Sequence, residues 1–392
     1  MKPLPRTVVA LGLVSLLMDF SSELIHSLLP IYLTATLGVS MVALGWIEGI
    51  AEATAQIVKV FSGAISDRMG KRKPLLLLGY GLALFTRPMF PLASGAGLVF
   101  AARLLDRVGK GIRGAPRDAL VADVTPPSQR GAAYGLRQSM DMLGGVFGPL
   151  AAAALLAGVF GTAMGIREAL WWAVVPAILA WVVLLFIVRE PEAQMAKSGK
   201  RIRLSDIREF RRTYWLVVGL GAVFTLARFS EAFLVLRVAN FDANPLWGPA
   251  TIALMGIVYA ATSYPAGLLA DRIDSRVLLA AGLVVLIAAD AALALAQTPL
   301  IALIGVALWG LHMGLTQGVL AAMVAGTAPP TLRGSAFGIF NLISGVMLLM
   351  ASVIAGALWQ YHGPAATFVG GAILCVIALV GLVRAPVLKP GD

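Results

Sequence analysis

Residues 63–72 read Gly-Ala-Ile-Ser-Asp-Arg-Met-Gly-Lys-Arg, a charged, glycine-punctuated turn between two long apolar stretches. Residues 267–276, Gly-Leu-Leu-Ala-Asp-Arg-Ile-Asp-Ser-Arg, repeat it at an offset of 204. A second pair, Thr125-Pro-Pro-Ser-Gln-Arg-Gly-Ala-Ala-Tyr-Gly135 and Ala328-Pro-Pro-Thr-Leu-Arg-Gly-Ser-Ala-Phe-Gly338, recurs at an offset of 203. Near-equal offsets at two separate places point to a duplicated chain. Asp19-Phe-Ser-Ser-Glu23 and Arg228-Phe-Ser-Glu231 form a weaker third match.

Composition decides the solvent. With 59% hydrophobic and 13% charged residues among 392, and a mean hydropathy of +0.87, the chain carries more apolar surface than a soluble fold can hide. A helix needs roughly 20 apolar residues to cross the hydrocarbon, whereas a membrane β-barrel shows alternating segments of about 10. The runs here are long and continuous, which predicts an all-α integral membrane protein. Twelve spans are expected near 7–35, 41–66, 74–93, 97–124, 132–158, 168–188, 213–239, 247–270, 277–296, 299–326, 335–360 and 364–384. The domain expectation is a six-helix bundle over 1–188, a basic linker over 189–212 and a second bundle over 213–392. The first span is too long and too charged for a cleaved signal peptide and reads as retained.

The fixed positive charge gives the orientation. Lys2 and Arg6 fall on one side with Arg68, Lys71, Arg72, Lys73, Arg130, the 189–212 segment, Arg272, Arg276, Arg333, Arg384 and Lys389, while the other side holds Arg87, Arg167 and Arg237 in or near its loops. By the positive-inside rule the richer side is cytoplasmic, with both termini there. The net charge of +11 therefore lies in short loops beside lipid, which argues against a nucleic-acid partner. One cysteine, Cys375, allows no intramolecular disulfide and no cysteine cage, and the three histidines are scattered, so no metal is expected. The linker reads as a connection, with a lipid-binding or regulatory role as the other reading.

Ionisable residues inside spans mark the functional candidates, because lipid does not tolerate them. Asp19, Glu23 and His26 stand at i, i+4 and i+7 on one face of the first span. The second span carries Glu48 and Glu52, with Trp46 nearby as a cavity-lining candidate, and the seventh carries Arg228 and Glu231. Such groups either load protons and bind substrate or form fixed ion pairs between helices. The fourth span holds Arg103, Asp106, Arg107 and Lys110, then Arg113, Arg117 and Asp118 among Gly109, Gly111, Gly114 and Pro116. Arg103 and Arg107 are candidates for an anionic substrate group. Arg113, Arg117 and Asp118 are candidates for a cytoplasmic gate with the first turn. Arg137 and Asp141, one turn apart on the fifth span, are expected to pair.

Across nearly its whole length the chain resembles the major facilitator superfamily. That family's pattern Gly-x-x-x-Asp-Arg-x-Gly-Arg/Lys-Arg/Lys is matched by Gly63, Asp67, Arg68, Gly70, Lys71 and Arg72; the second copy keeps Asp271 and Arg272 but has Asp274 for the later glycine. Gly144, Gly148 and Pro149 look like its antiporter motif, with Ala152-Ala153 in place of the trailing glycine pair. Arg107 with Gly111 looks like its arginine-bearing motif associated with proton transfer. The resemblance implies two pseudo-symmetric six-helix bundles, alternating access around a central site, and an Asp67 latch that holds the outward-facing state. Lys71, Arg72 and Lys73 are expected to face anionic headgroups.

No phosphate loop, paired-histidine site or nucleophile elbow is present, so no enzyme activity and no cofactor are expected, and an ion gradient would supply the energy. The expectation is a secondary transporter of the cytoplasmic membrane working as a single copy, exchanging protons for a small organic solute on export. The alternatives are proton-coupled import of an anionic solute or siderophore and, more remotely, a non-transporting receptor or scaffold.

Overall fold

The computed structural model describes residues 4–126, 129–159, 161–190, 210–242, 244–270, 273–328 and 333–384. Among them every regular element is helical. The first half contains α1 (Arg6–Ile31), extended by a π-helical turn at Tyr32–Thr36, α2 (Met41–Met69), α3 (Lys73–Thr86), α4 (Met89–Leu92), α5 (Ala96–Val124), α6 (Arg130–Leu156), α7 (Ile166–Trp171) and α8 (Val174–Phe186). The second contains α9 (Arg212–Leu226), α10 (Ala232–Ala239), α11 (Trp247–Ala270), α12 (Ser275–Leu295), α13 (Pro299–Thr327), α14 (Arg333–His362) and α15 (Pro364–Arg384). Helices 3 and 4, 7 and 8, and 9 and 10 each make up one interrupted span, which gives the twelve expected crossings.

Ten of these crossings are long and apolar enough to span a bilayer. The remaining two, α5 and the α9–α10 pair, fall outside for different reasons. The α5 helix holds seven basic or acidic residues between Arg103 and Asp118. The seventh span, expected to be continuous over 213–239, is broken at 227–231. No proline or glycine lies in the break, so local propensity does not announce it.

Two compact units form, one from residues 1–39, 54–200 and 245–253, the other from 40–53, 201–244 and 254–392. Each takes in the N-terminal end of a helix from the opposite half, because small residues let backbones meet there. In the first unit Gly248 of α11 lies against the Ser27 carbonyl of α1; in the second, Gly45 and Gly49 of α2 lie against Ser352 and Leu349 of α14, and Gly356 lies against Met41. The same device joins other helices of the first unit. A Cβ on Gly109 of α5 would stand 2.6 Å from the Gly79 carbonyl of α3, one on Gly111 would stand 2.6 Å from Val58, and one on Gly148 of α6 would stand 2.5 Å from the Phe20 carbonyl. Without a hydrophobic drive between helices in lipid, this close packing is a main source of association.

The first turn after α2 depends on Gly70, whose φ of 62° only glycine adopts without strain. Arg72 and Lys73 do not reach outward to headgroups, which corrects the expectation for them. The Arg72 backbone N–H donates to the Glu190 carboxylate, its side chain donates to Ser66 Oγ at 2.6 Å and pairs with Asp123 at 3.4 Å, and Lys73 Nζ donates to the Leu185 and Val188 carbonyls at 2.9 and 2.7 Å. Their donors are satisfied inside the unit, so they fasten the turn to the ends of α5 and α8. Arg68 and Lys71 remain exposed. In the second copy Asp274, in the place of Gly70, has φ −58° and caps α12 by accepting from the Arg276 N–H at 2.9 Å.

Candidate functional site

In the first unit, α1 and α6 press together through Gly144 and Gly148, and this contact places the α1 acids. A Cβ on Gly144 would lie 3.1 Å from the Cβ of Asp19. The Asp19 carboxyl feels Asp141 of α6 together with Lys110, Arg117 and Arg113 of α5. One turn on, Glu23 accepts from His26 Nδ1 at 3.2 Å, with Lys110 and Arg107 as further basic neighbours. The i, i+4, i+7 face read from the sequence is thus turned toward α5 and α6. Pro149 lies within α6, after the two packing glycines.

A second layer of charge lies around Asp106. Its two oxygens pair with Arg87 and Arg107, each at 3.1 Å, and Arg113 and Arg103 are close enough to act on it electrostatically. All five side chains are buried. Arg87, placed at an outer loop by its sequence position, is only 1% exposed and donates to Ser22 Oγ at 2.8 Å. It follows the last turn of α3 into the unit because Asp106 supplies the counter-charge; a buried guanidinium without one is strongly disfavoured. Arg113, a gate candidate, lies over the Tyr80 ring at 4.8 Å beside this cluster. Two further outer arginines are also tied down, Arg167 to Tyr32 Oη and the Ala93 carbonyl and Arg237 to the Leu293 and Ala296 carbonyls.

The third layer joins α5 and α6. Arg117 reaches Asp118 at 3.4 Å and Asp141 at 3.5 Å and donates to Ser15 Oγ of α1 at 3.0 Å; Arg137 pairs with Asp141, as expected, and with Asp118 at 3.5 Å. Asp141 therefore links this layer with Asp19. A Cβ on Gly63 of α2 would stand 3.3 Å from the Cβ of Ala115 on α5. The side chain of Asp67 and residues Asp271 and Arg272 lie outside the described residues, as do most of the 189–212 linker and the side chains of Arg333 and Arg384.

The second unit builds its charged site at the break in the seventh span. Ser230 Oγ donates to Glu48 Oε2 at 3.3 Å and accepts from the Ala232 N–H, while the Ser230 N–H donates to Ser352 Oγ at 3.3 Å. These bonds satisfy backbone that the helix leaves open. Arg228 interacts with Glu231 and with Tyr259 of α11. Glu48 is 1% exposed, whereas Trp46, two residues earlier on the opposite side of the helix, is 47% exposed. Glu52, a turn beyond Glu48, is half-buried. Phe229 turns away from the serines into a ring cluster with Trp309 at 5.2 Å, Phe368 at 5.6 Å and Phe233 at 5.7 Å. Sequence reasoning missed three members of this unit. Ser230 and Ser352 give no signal as single hydroxyls, but Asp290 is the one charged residue between Val277 and Leu295, and that isolation was visible.

The family model described as Major Facilitator Superfamily matches residues 11–258 and 247–391. An uncharacterized MFS-type transporter of Methanocaldococcus jannaschii is 31% identical over 391 residues, covering 96% of this chain and 94% of that one. A multidrug resistance protein of Edwardsiella ictaluri is 27% identical over 255 residues, 64% of this chain and 59% of its own length. The crystal structure of a nucleoside transporter superposes with a TM-score of 0.79 at 12% identity, covering 96% of this chain and 99% of that one, and so bears on the fold alone. With two repeated six-span halves, charge carried inside the spans and a family model matching from end to end, the chain belongs to the major facilitator superfamily of membrane transporters.

Proposed function

We propose that the protein is a proton-coupled antiporter that exports a small, amphiphilic organic compound across the cytoplasmic membrane by alternating access, with both termini in the cytoplasm. The observation that carries this reading is the Asp19 site, where Asp19 lies among Asp141, Lys110, Arg113 and Arg117, and Asp141 in turn pairs with Arg117 and Arg137. Two acids in one set of cations hold a variable number of protons, and a substrate that changes the balance exchanges for one. The Glu23–His26 pair alongside provides a second group able to pass a proton. Arg228 and Glu231 at the broken seventh span are the answering elements in the second half. The multidrug resistance relative favours export, and Asp67 is assigned the latch role.

The test uses purified protein in liposomes holding an internal pH dye and no imposed gradient. Substrate added outside should make the interior more alkaline as protons leave in exchange. Asp19→Asn should abolish that response while the protein still inserts, and Asp67→Asn should insert normally yet lower the rate. Acidification of the interior would replace antiport by import with protons. The four buried arginines around the single Asp106 favour an anionic solute in that case.

A further inference from the structure

Asp290 lies five residues before the C-terminal end of α12 and is fully buried, and neither of its carboxylate oxygens has a hydrogen-bond partner among the described residues. From α15, Gly371 lies directly on the carboxyl, since a Cβ there would stand 2.7 Å from Oδ2, and Cys375 follows one turn later. From the break in the seventh span, Phe229 closes the same spot, its ring edge 3.2 Å from that Cβ position. From α13, the nearest ionisable group is His312, whose Nδ1 is bound to the Gly282 carbonyl at 2.8 Å, eight residues and roughly 12 Å along α12 from Asp290. Arg237 of α10 is bound to carbonyls at the end of α12, and Arg228 and Glu231 act on each other. Among the described residues no cation pairs with the carboxyl.

An isolated carboxylate in such a place is strongly disfavoured, and the group neutralises by taking a proton instead. We propose that Asp290 is a proton-binding site of the second unit, occupied in this conformation and closed off by Phe229. Because Phe229 belongs to the same five-residue break as Arg228, Ser230 and Glu231, the proton leaves only when that break moves. The site is separate from Asp19 and does not depend on the direction of transport.

Infrared spectroscopy of the full-length protein in lipid nanodiscs at neutral pH reads the proton directly. A protonated-carboxyl C=O band, moved by carbon-13 labelling of aspartate and slow to exchange in heavy water, should be present in the natural protein, kept in Asp19→Asn and absent in Asp290→Asn. Phe229→Ala should keep the band but speed its exchange at least tenfold. If Asp290→Asn does not fold, Cys375→Ala, one turn from the contact, should shift the band. No slow-exchanging aspartate band, or one that neither Asp290→Asn nor Cys375→Ala alters, would overturn the site. Exchange unchanged by Phe229→Ala would overturn its link to the break.

Discussion

The same short motif has two fates. In the first half Asp19-Phe-Ser-Ser-Glu23 lies in an unbroken α1, with Ser21 donating to the Ala173 carbonyl at 2.7 Å and Ser22 accepting from Arg87. In the second half Arg228-Phe-Ser-Glu231, one residue shorter, sits in a break, and its single serine serves Glu48 and the loosened backbone together. The backbone of Phe20 packs on Gly148, whereas the Phe229 ring and the Asp290 carboxyl both border Gly371. Duplication thus supplied one scaffold and two chemistries: a continuous helix that presents acids to a basic layer, and an interrupted one whose serine answers the free backbone and whose aromatic ring packs among other rings.

The sharpest way to break the contrast is to remove the charge anchoring the first motif. Asp106→Asn leaves the buried Arg87 without the carboxylate it pairs with, and a loss of about 3–5 kcal/mol is expected, read as a lower yield of folded protein and an earlier unfolding midpoint in detergent. The continuous helix is tested next by its packing. Gly148→Val drives a side chain into the α1 backbone and should cost about 1–3 kcal/mol, while Gly145→Val, with open space around its Cβ position, should leave the midpoint unchanged. If the two behave alike, close approach is not what holds α1 on α6.

For the broken helix, Ser230→Ala removes the hydroxyl bonds at the break and should cost about 1 kcal/mol, seen as faster amide exchange confined to 227–239. Ser21→Ala should leave exchange along α1 slow, since the i→i−4 ladder there does not rely on the hydroxyl. The smallest effect is expected at the second turn. Asp274→Ala removes the α12 cap at an exposed site for about 0.5 kcal/mol, whereas Gly70→Ala at the equivalent first position forces a side chain into positive φ for about 1 kcal/mol or more.

Much of the site was legible because lipid makes charge conspicuous. The α1 face of Asp19, Glu23 and His26, the crowd of arginines on α5 and the Arg137–Asp141 pair follow from helical spacing and from the penalty on unpaired ions. Arg87 does lie in the turn after α3, but only Asp106, nineteen residues later, explains why its side chain turns inward. Asp290 carried a visible signal, a single acid in an otherwise apolar span.

By itself the sequence determined the solvent, the number of crossings, the duplication and the list of residues that lipid excludes, since hydropathy, charge and repeat offset are one-dimensional quantities. Tertiary structure decided where the seventh helix breaks, that the N-terminal ends of α2 and α11 each pack in a unit with the other half, and which acids share cations and which stands alone. Those outcomes depend on helix rotation and on backbone distances between residues far apart in the chain, which are set by how glycines and side chains fit together.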